Sequence, residues 1–339
     1  MVNKTILEIL EGKYVSEKEM TTLPSYLLQE EITDSERAAF LSAIHVRGED
    51  FAEISGFSEG LRNLSSIGQF PDCTDIVGTG GDMKGTINVS TAASLVCASL
   101  GIRMGKYGNR SITGRSGAAD FMEMTGYNLE RSENEIKRGL EEDNFVFLLA
   151  SHYNSAFRSF SAVRKKLGHR TIFNLMGPIT NPLNPRRIII GCTDSEIQAI
   201  FSRVMMMQGK RAMVLKGNDG MDEISYEDKS TISIVGEGIE NREIDPLKIM
   251  GRKIEGHNVT GKTREEIFIK TIEGLDGKNS DASSFIALNA APCLILNGIV
   301  NSMERAYMLA LKSMNNGTTM RKLSDITGGK VQEVISSVR

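Results

Sequence analysis

Four glycines fall within the short span DIVGTGGDMKGTINVSTAAS (75–94): Gly78, Gly80, Gly81 and Gly85. The apolar pair Ile76-Val77 precedes them, and an Ala-rich apolar run opening on Ser90-Thr91 follows. That order predicts a buried strand, a bare loop and a helix start. Glycine lets backbone N–H groups come close to an oxygen, and the helix start adds partial positive charge, so the unit is an anion site. Two familiar versions fail. A dinucleotide fingerprint from Gly78 needs glycine where Met83 stands, and a P-loop from Gly80 reaches Gly85 but then meets Thr86-Ile87 instead of Lys-Ser/Thr.

A second loop, KYGNRSITGRSGAAD (106–120), brings Lys106, Asn109, Arg110, Ser111, Thr113, Arg115 and Ser116, spaced by further glycines. Two cationic, hydroxyl-rich glycine loops so close together suit a polyanion larger than one phosphate. A third element, NDGMDEIS (218–225), carries the adjacent carboxylates Asp222 and Glu223. Mg²⁺ on a phosphorylated substrate takes one or two such carboxylates. His45, His152, His169 and His257 have no metal spacing, and neither H-E-x-x-H nor G-x-S-x-G occurs, so no protein nucleophile is expected.

The pattern along the chain predicts two domains. Residues 1–67 read as a small α-helical domain. Thr33 with Glu36 forms a capping box, Ala38, Phe40, Leu41 and Ile44 line one face, and Ser55-Gly56-Phe57 and Arg62 to Gln69 continue this helical, loop-broken character. Residues 68–339 read as a larger α/β domain with a mostly parallel central sheet flanked by helices. Strands are expected at TDIVG, IRMGKYG, FVFLLAS, RRIIIGCT, KRAMVLKGN and STISIVG, with helices between them. Helical character near 155–180 suggests that the chain returns there to the first domain. VMMMQG (204–209) reads as helix core.

Several function classes are excluded. Lys and Arg total 40 against 43 Asp and Glu, a net charge of −3, which offers no basic surface for nucleic acid. No long apolar stretch could span a membrane, and the N-terminus is amphipathic, unlike a signal peptide. Cys73, Cys97, Cys192 and Cys293 are scattered without C-x-x-C spacing and read as reduced core thiols of a cytoplasmic protein.

Taken in order, GTGGD, NVST, K-x-GNR, SGxAD, VRKKLGHRTIFNLMGPITNP and DGMDEIS closely resemble the anthranilate phosphoribosyltransferases of tryptophan biosynthesis, over nearly the whole chain. The resemblance implies transfer of the 5-phosphoribosyl group from phosphoribosyl pyrophosphate to the amine of anthranilate, in a cleft between the domains. It implies that Gly78, Gly81, Asp82, Thr86, Asn88, Val89, Ser90, Thr91, Lys106, Tyr107, Gly108, Asn109, Arg110, Ser111, Ile112, Thr113, Gly114 and Ala118 hold phosphoribosyl pyrophosphate. Gly78, Asn109 and Arg164 would hold anthranilate, and Ser90, Asp222 and Glu223 would hold Mg²⁺. A homodimer through the α domain is also implied. Tyr107 stands where the family usually has histidine, Ala118 where it usually has serine, and His152-Tyr153-Asn154-Ser155 where it commonly has histidine-proline. These changes fall mostly on the acceptor side. They leave open a same-fold transferase using another amine; the other alternative, a non-enzymatic relative that binds nucleic acid, has the charge balance and the Asp222-Glu223 pair against it.

Overall fold

The computed structural model describes residues 3–65, 67–111 and 114–338. Four helices open the chain: α1 (Lys4–Leu10), α2 (Glu17–Leu27), α3 (Asp34–Arg47) and α4 (Phe51–Asn63). The expected Thr33–Glu36 capping box is present, and Ser16–Glu19 and Asp50–Glu53 form two more. Each pairs a helix's unsatisfied first-turn amides with a side chain at the cap. The loop-broken character expected there is seen only in the second stretch: α4 runs unbroken through Ser55-Gly56-Phe57 and ends at Asn63. Gly56 and Gly60 lie one turn apart on its α2-facing side, where a Cβ would overlap the carbonyl oxygens of Glu17 and Thr21. They mark a close helix–helix approach.

Seven strands follow: β1 (Thr74–Gly78), β2 (Met104–Gly108), β3 (Phe145–Leu149), β4 (Arg187–Gly191), β5 (Arg211–Gly217), β6 (Ser230–Val235) and β7 (Ile239–Ile244). They form one sheet in the order β3-β2-β1-β4-β5-β6-β7. The first five are parallel, and β6 and β7 close the edge antiparallel. Strand β7 was not expected, because IENREI is charged and largely exposed and shows no apolar run.

Side chains alternate across the sheet as the pleat requires. Ile76, Phe145, Phe147, Ile189 and Met213 pack on one face with α5 (Val89–Ser99) and the long helix Ser280–Leu296. Val77, Val146, Leu148, Ile190 and Val214 pack on the other with the N-terminal helices. That second face extends into a run of short helices, Ser155–Ser159, Ser161–Leu167 and Ile172–Met176. The run docks on the bundle. Phe173 meets Phe57 edge-on at 5.6 Å, Arg170 pairs with Glu49 at 2.8 Å, and Asn154 donates to the Leu61 carbonyl at 3.0 Å. The methionine run is only partly core: Met205 is buried, whereas Met206 and Met207 at the end of helix Ser195–Met207 are exposed.

Candidate active site

Strand β1 lies at the point where the strand order reverses, with β2 on one side and β4 on the other. Crevices outside the carboxyl ends of strands at such a point are where open α/β sheets bind ligands. The glycine loop leaves β1 there. Gly78 and Gly191 are register partners at the ends of β1 and β4, and both are bare because the Asp222 segment lies on them. A Cβ on Gly78 would overlap Oδ2 of Asp222, and one on Gly191 would overlap its carbonyl oxygen. Gly80 donates its N–H to Asp222 Oδ2 at 2.6 Å. Gly80, Gly81 and Gly85 have φ of +67°, +87° and +65°, which favours glycine at each turn of the loop. Helix α5 then begins without a side-chain cap. The Asn88 side chain is used elsewhere, donating to the Gly117 carbonyl at 3.3 Å and accepting from Ser116 Oγ at 3.2 Å. The helix start is thereby left open toward the cleft.

The carboxylate pair enters from the turn after β5. Asn289 on the long helix accepts the Ile224 N–H at 2.8 Å and anchors that turn. Glu223 comes to 3.4 Å from Thr86 Oγ1. Asp82 lies beside Asp222, and its Oδ2 is buried with no hydrogen-bond partner. Burial and the neighbouring Asp82 push the Asp222 carboxyl up to about 7. Burial, with Asp222 and Asp82 nearby, raises Glu223 well above the ordinary carboxylate range. These acids resist ionising together, although no group of three among the described residues is arranged to hold a metal ion. Lys106 is fully buried below them. Its Nζ donates to the Ile76 carbonyl and reaches Ser90 Oγ at 3.4 Å. Burial lowers the ammonium pKa, while Asp75, Asp222 and Glu223 oppose the shift.

The second loop follows β2. Asp120 accepts the N–H groups of Ser111 at 3.0 Å and Gly117 at 2.8 Å, which folds the loop back on the start of α6 (Ala118–Met124). Asn109, Ser111, Gly114 and Ala118 line the cleft with Gly78, Gly81, Asp82, Thr86, Asn88, Val89, Ser90 and Thr91. Arg110 also lines it, but its guanidinium is forked onto Glu123. Ile112 and Thr113 lie outside the described residues. Gly108 is bare because Ala118 covers it, a Cβ there standing 2.9 Å from that of Ala118.

The bundle-facing end of the cleft has a different character. Tyr107, Ala150, Phe157, Phe173 and Pro178 make an apolar wall. Tyr107 is 1% exposed, meets Phe157 edge-on at 6.2 Å, and keeps its hydroxyl beside Thr180 without a hydrogen-bond partner. One cation breaks the wall. Arg164 is 5% exposed, stands 5.3 Å over the Phe173 ring and donates to Asn174 Oδ1 at 3.3 Å, while its Nε has no partner. Burial alone lowers its pKa to about 10. A buried guanidinium without a carboxylate is costly, and it fits a site completed by a ligand's anion.

The helical-bundle domain of a glycosyl transferase family matches residues 3–65, and the a/b domain of the same family matches residues 71–320. The anthranilate phosphoribosyltransferase of Picrophilus torridus is 45% identical over 94% of this chain and 97% of its own. That of Thermoplasma acidophilum is 39% identical over 95% and 98%. The chain belongs to the anthranilate phosphoribosyltransferase family. Among solved family members, the Thermus thermophilus enzyme superposes with a TM-score of 0.87 at 28% identity, covering 97% of this chain and 99% of that one. The Saccharomyces cerevisiae enzyme in complex with PRPP and Mg superposes at 0.85 and 23% identity over 97% and 98%, a likeness of fold.

Within this anthranilate phosphoribosyltransferase fold, several residues that shape the site carried no readable signal in the sequence. Gly191 reads as the end of one strand among several. Its role appears only when Asp222 is seen lying on it. Buried Asp75 sits between Asn181 Nδ2, at 2.8 Å, and the Tyr107 N–H, at 3.4 Å, behind the two loops. Asn289 is internal to an apolar helix. Phe157 and Phe173 could have been suspected from the aromatic residues in SAFRSF and TIFNL, but period alone assigns them to core.

Proposed function

We propose that this chain transfers the 5-phosphoribosyl group of phosphoribosyl pyrophosphate to the amine of anthranilate and releases pyrophosphate, in tryptophan biosynthesis. One observation carries the reading. A single cleft has an oxygen-binding end of open backbone amides, Lys106 and crowded carboxylates, and an aromatic end holding Arg164, a buried cation with no carboxylate partner among the described residues. The first end suits a sugar diphosphate and the second a flat aromatic acid.

Glycine-loop amides, the open start of α5 and Lys106 bind the diphosphate, meeting the negative charge that grows on it as the bond to the ribose carbon breaks. The 109–118 loop holds the remainder of the phosphoribosyl group. Arg164 takes the anthranilate carboxylate and orients the neutral amine toward the same carbon, while Tyr107, Phe157 and Phe173 exclude water from the ring. Holding both substrates in line supplies the entropic part of the rate. No protein nucleophile takes part, and the amine proton leaves late to water or a carboxylate.

Ser90, Asp222 and Glu223 would hold Mg²⁺. The residues fit it: the carboxylates are crowded, raised in pKa and, at Asp82 Oδ2, unpartnered. A Mg²⁺ ion held there would neutralise charge on the diphosphate.

We keep the division at 67/68 into an α domain and an α/β domain as a proposal; the residues lining the cleft all lie between 77 and 267, and its aromatic end is formed by helices that dock on the α domain. Leu7, Leu10, Tyr14 and Val46 leave apolar surface exposed on the α domain, which supports the homodimer proposed through it. The absence of any helix among the described residues long and apolar enough to cross a membrane is compatible with the proposed cytoplasmic location. The test is loss of anthranilate fluorescence that requires both phosphoribosyl pyrophosphate and Mg²⁺, with stoichiometric pyrophosphate release. Pyrophosphate release without loss of anthranilate would point to another acceptor.

A further inference from the structure

The guanidinium of Arg115 stands at the mouth of the cleft in an unusual pairing. Nη1 donates to the Gly261 carbonyl at 2.6 Å, and no carboxylate among the described residues forms an ion pair with it. Other arginines of the region are committed: Arg110 to Glu123, and Arg264 to Asp120 at 3.4 Å. A guanidinium has five N–H donors, and among the described residues only Nη1 of Arg115 has a protein acceptor.

Its neighbours fix which end of the cleft it serves. Gly85 is bare beneath it, and a Cβ there would stand 2.6 Å from Nη1. Gly85 accepts the Gly261 N–H at 3.0 Å, Ile87 donates to the Val259 carbonyl at 2.9 Å, and Thr86 pairs with Thr260. The 259–261 segment thus forms a two-stranded patch with the glycine loop, and Arg115 pins it. One residue along from Gly85, Thr86 reaches Glu223. Arg115 therefore lies at the diphosphate end, fixed by one donor with the others uncommitted.

We infer that Arg115 is a binding residue for the diphosphate of the donor substrate, held ready by Gly261 and Gly85. The inference rests on the proposed function and adds a cation to the set implied for the donor. A planar fork suits two phosphate oxygens at once. With Arg110 turned onto Glu123, it is the guanidinium of this loop left uncommitted to any carboxylate.

The experiment measures dissociation constants of inorganic pyrophosphate with Mg²⁺, and separately of ribose 5-phosphate, for the wild type, Arg115→Ala and Arg115→Lys. Steady-state KM for both substrates and thermal midpoints are measured alongside. The expected result is pyrophosphate affinity at least about tenfold weaker in Arg115→Ala, in the range of a lost charge-assisted hydrogen bond. Lysine restores part of it, and ribose 5-phosphate affinity and anthranilate KM stay unchanged. Equal pyrophosphate binding by wild type and Arg115→Ala overturns the inference, as does a loss confined to ribose 5-phosphate. If Arg115→Ala unfolds, Arg115→Lys and Arg115→Gln are compared by the same readouts, and equal pyrophosphate affinity in those two overturns it. A wild type that binds neither pyrophosphate nor phosphoribosyl pyrophosphate sinks the functional reading itself, a distinct outcome.

Discussion

Oδ2 of Asp222 sits directly over Cα of Gly78, so closely that even a methyl group at position 78 would overlap it. The two residues are far apart in sequence, one ending β1 and the other in the turn after β5. The contact brings a carboxylate of the proposed metal set onto the glycine loop. Gly78→Ala should displace Asp222 and break its bond from the Gly80 N–H. A misplacement near 1 Å costs about a hundredfold in rate. Steady-state kinetics should show kcat/KM down by that order with the circular dichroism spectrum intact.

Arg164 lacks an anionic partner among the described residues and is walled by Phe173. Arg164→Ala should raise the KM for anthranilate at least about tenfold, the value of a charge-assisted hydrogen bond or more, and leave the KM for phosphoribosyl pyrophosphate nearly unchanged. A loss confined to the donor would reverse the placement of the two substrates.

Asp222→Asn and Glu223→Gln remove the crowded charges. Each variant should lose saturable activation by Mg²⁺, with kcat/KM lower by about two to three orders of magnitude, the scale of one lost electrostatic contact to the transition state. Because crowding destabilises these carboxylates, the metal-free variants should melt no lower than the metal-free wild type in calorimetry.

Lys210 tests the electrostatics away from the cleft. Burial, with Arg62 nearby, lowers its pKa to about 8. An ammonium whose folded pKa falls below its unfolded value of about 10.4 destabilises the fold fully below pH 8, and the cost vanishes as pH rises past the unfolded value. Lys210→Met should therefore raise the stability at pH 7, by up to about 3 kcal/mol, and the gain should fade above about pH 10. Denaturant titrations at the two pH values measure this.

Gly56 and Gly60 set the α2–α4 spacing. Gly56→Ala should destabilise by about 1–3 kcal/mol, since overpacking outweighs the better helix propensity. Specific activity of the folded fraction should be unchanged, which chemical denaturation and an assay of the same sample would check.

Local chemistry determined much of this protein from sequence alone. Capping boxes such as Thr33–Glu36, the apolar strands and both glycine loops are legible because hydrogen-bond geometry and pleat act over a few residues. The two loops proposed to hold the donor were recognisable because phosphate binding needs bare backbone in an unbroken run. Tertiary structure decided what depends on distant segments meeting. Gly56 read as part of a loop-broken helical stretch and proved to be a contact inside an unbroken helix, since only α2 reveals why its side chain is missing. Gly191, Asn289 and the Phe157–Phe173 wall became site residues only when the sheet, the long helix and the bundle closed around them. The burial and crowding that raise Asp222 are likewise properties of packing, because the linear chain neither buries Asp222 nor brings Asp82 against it.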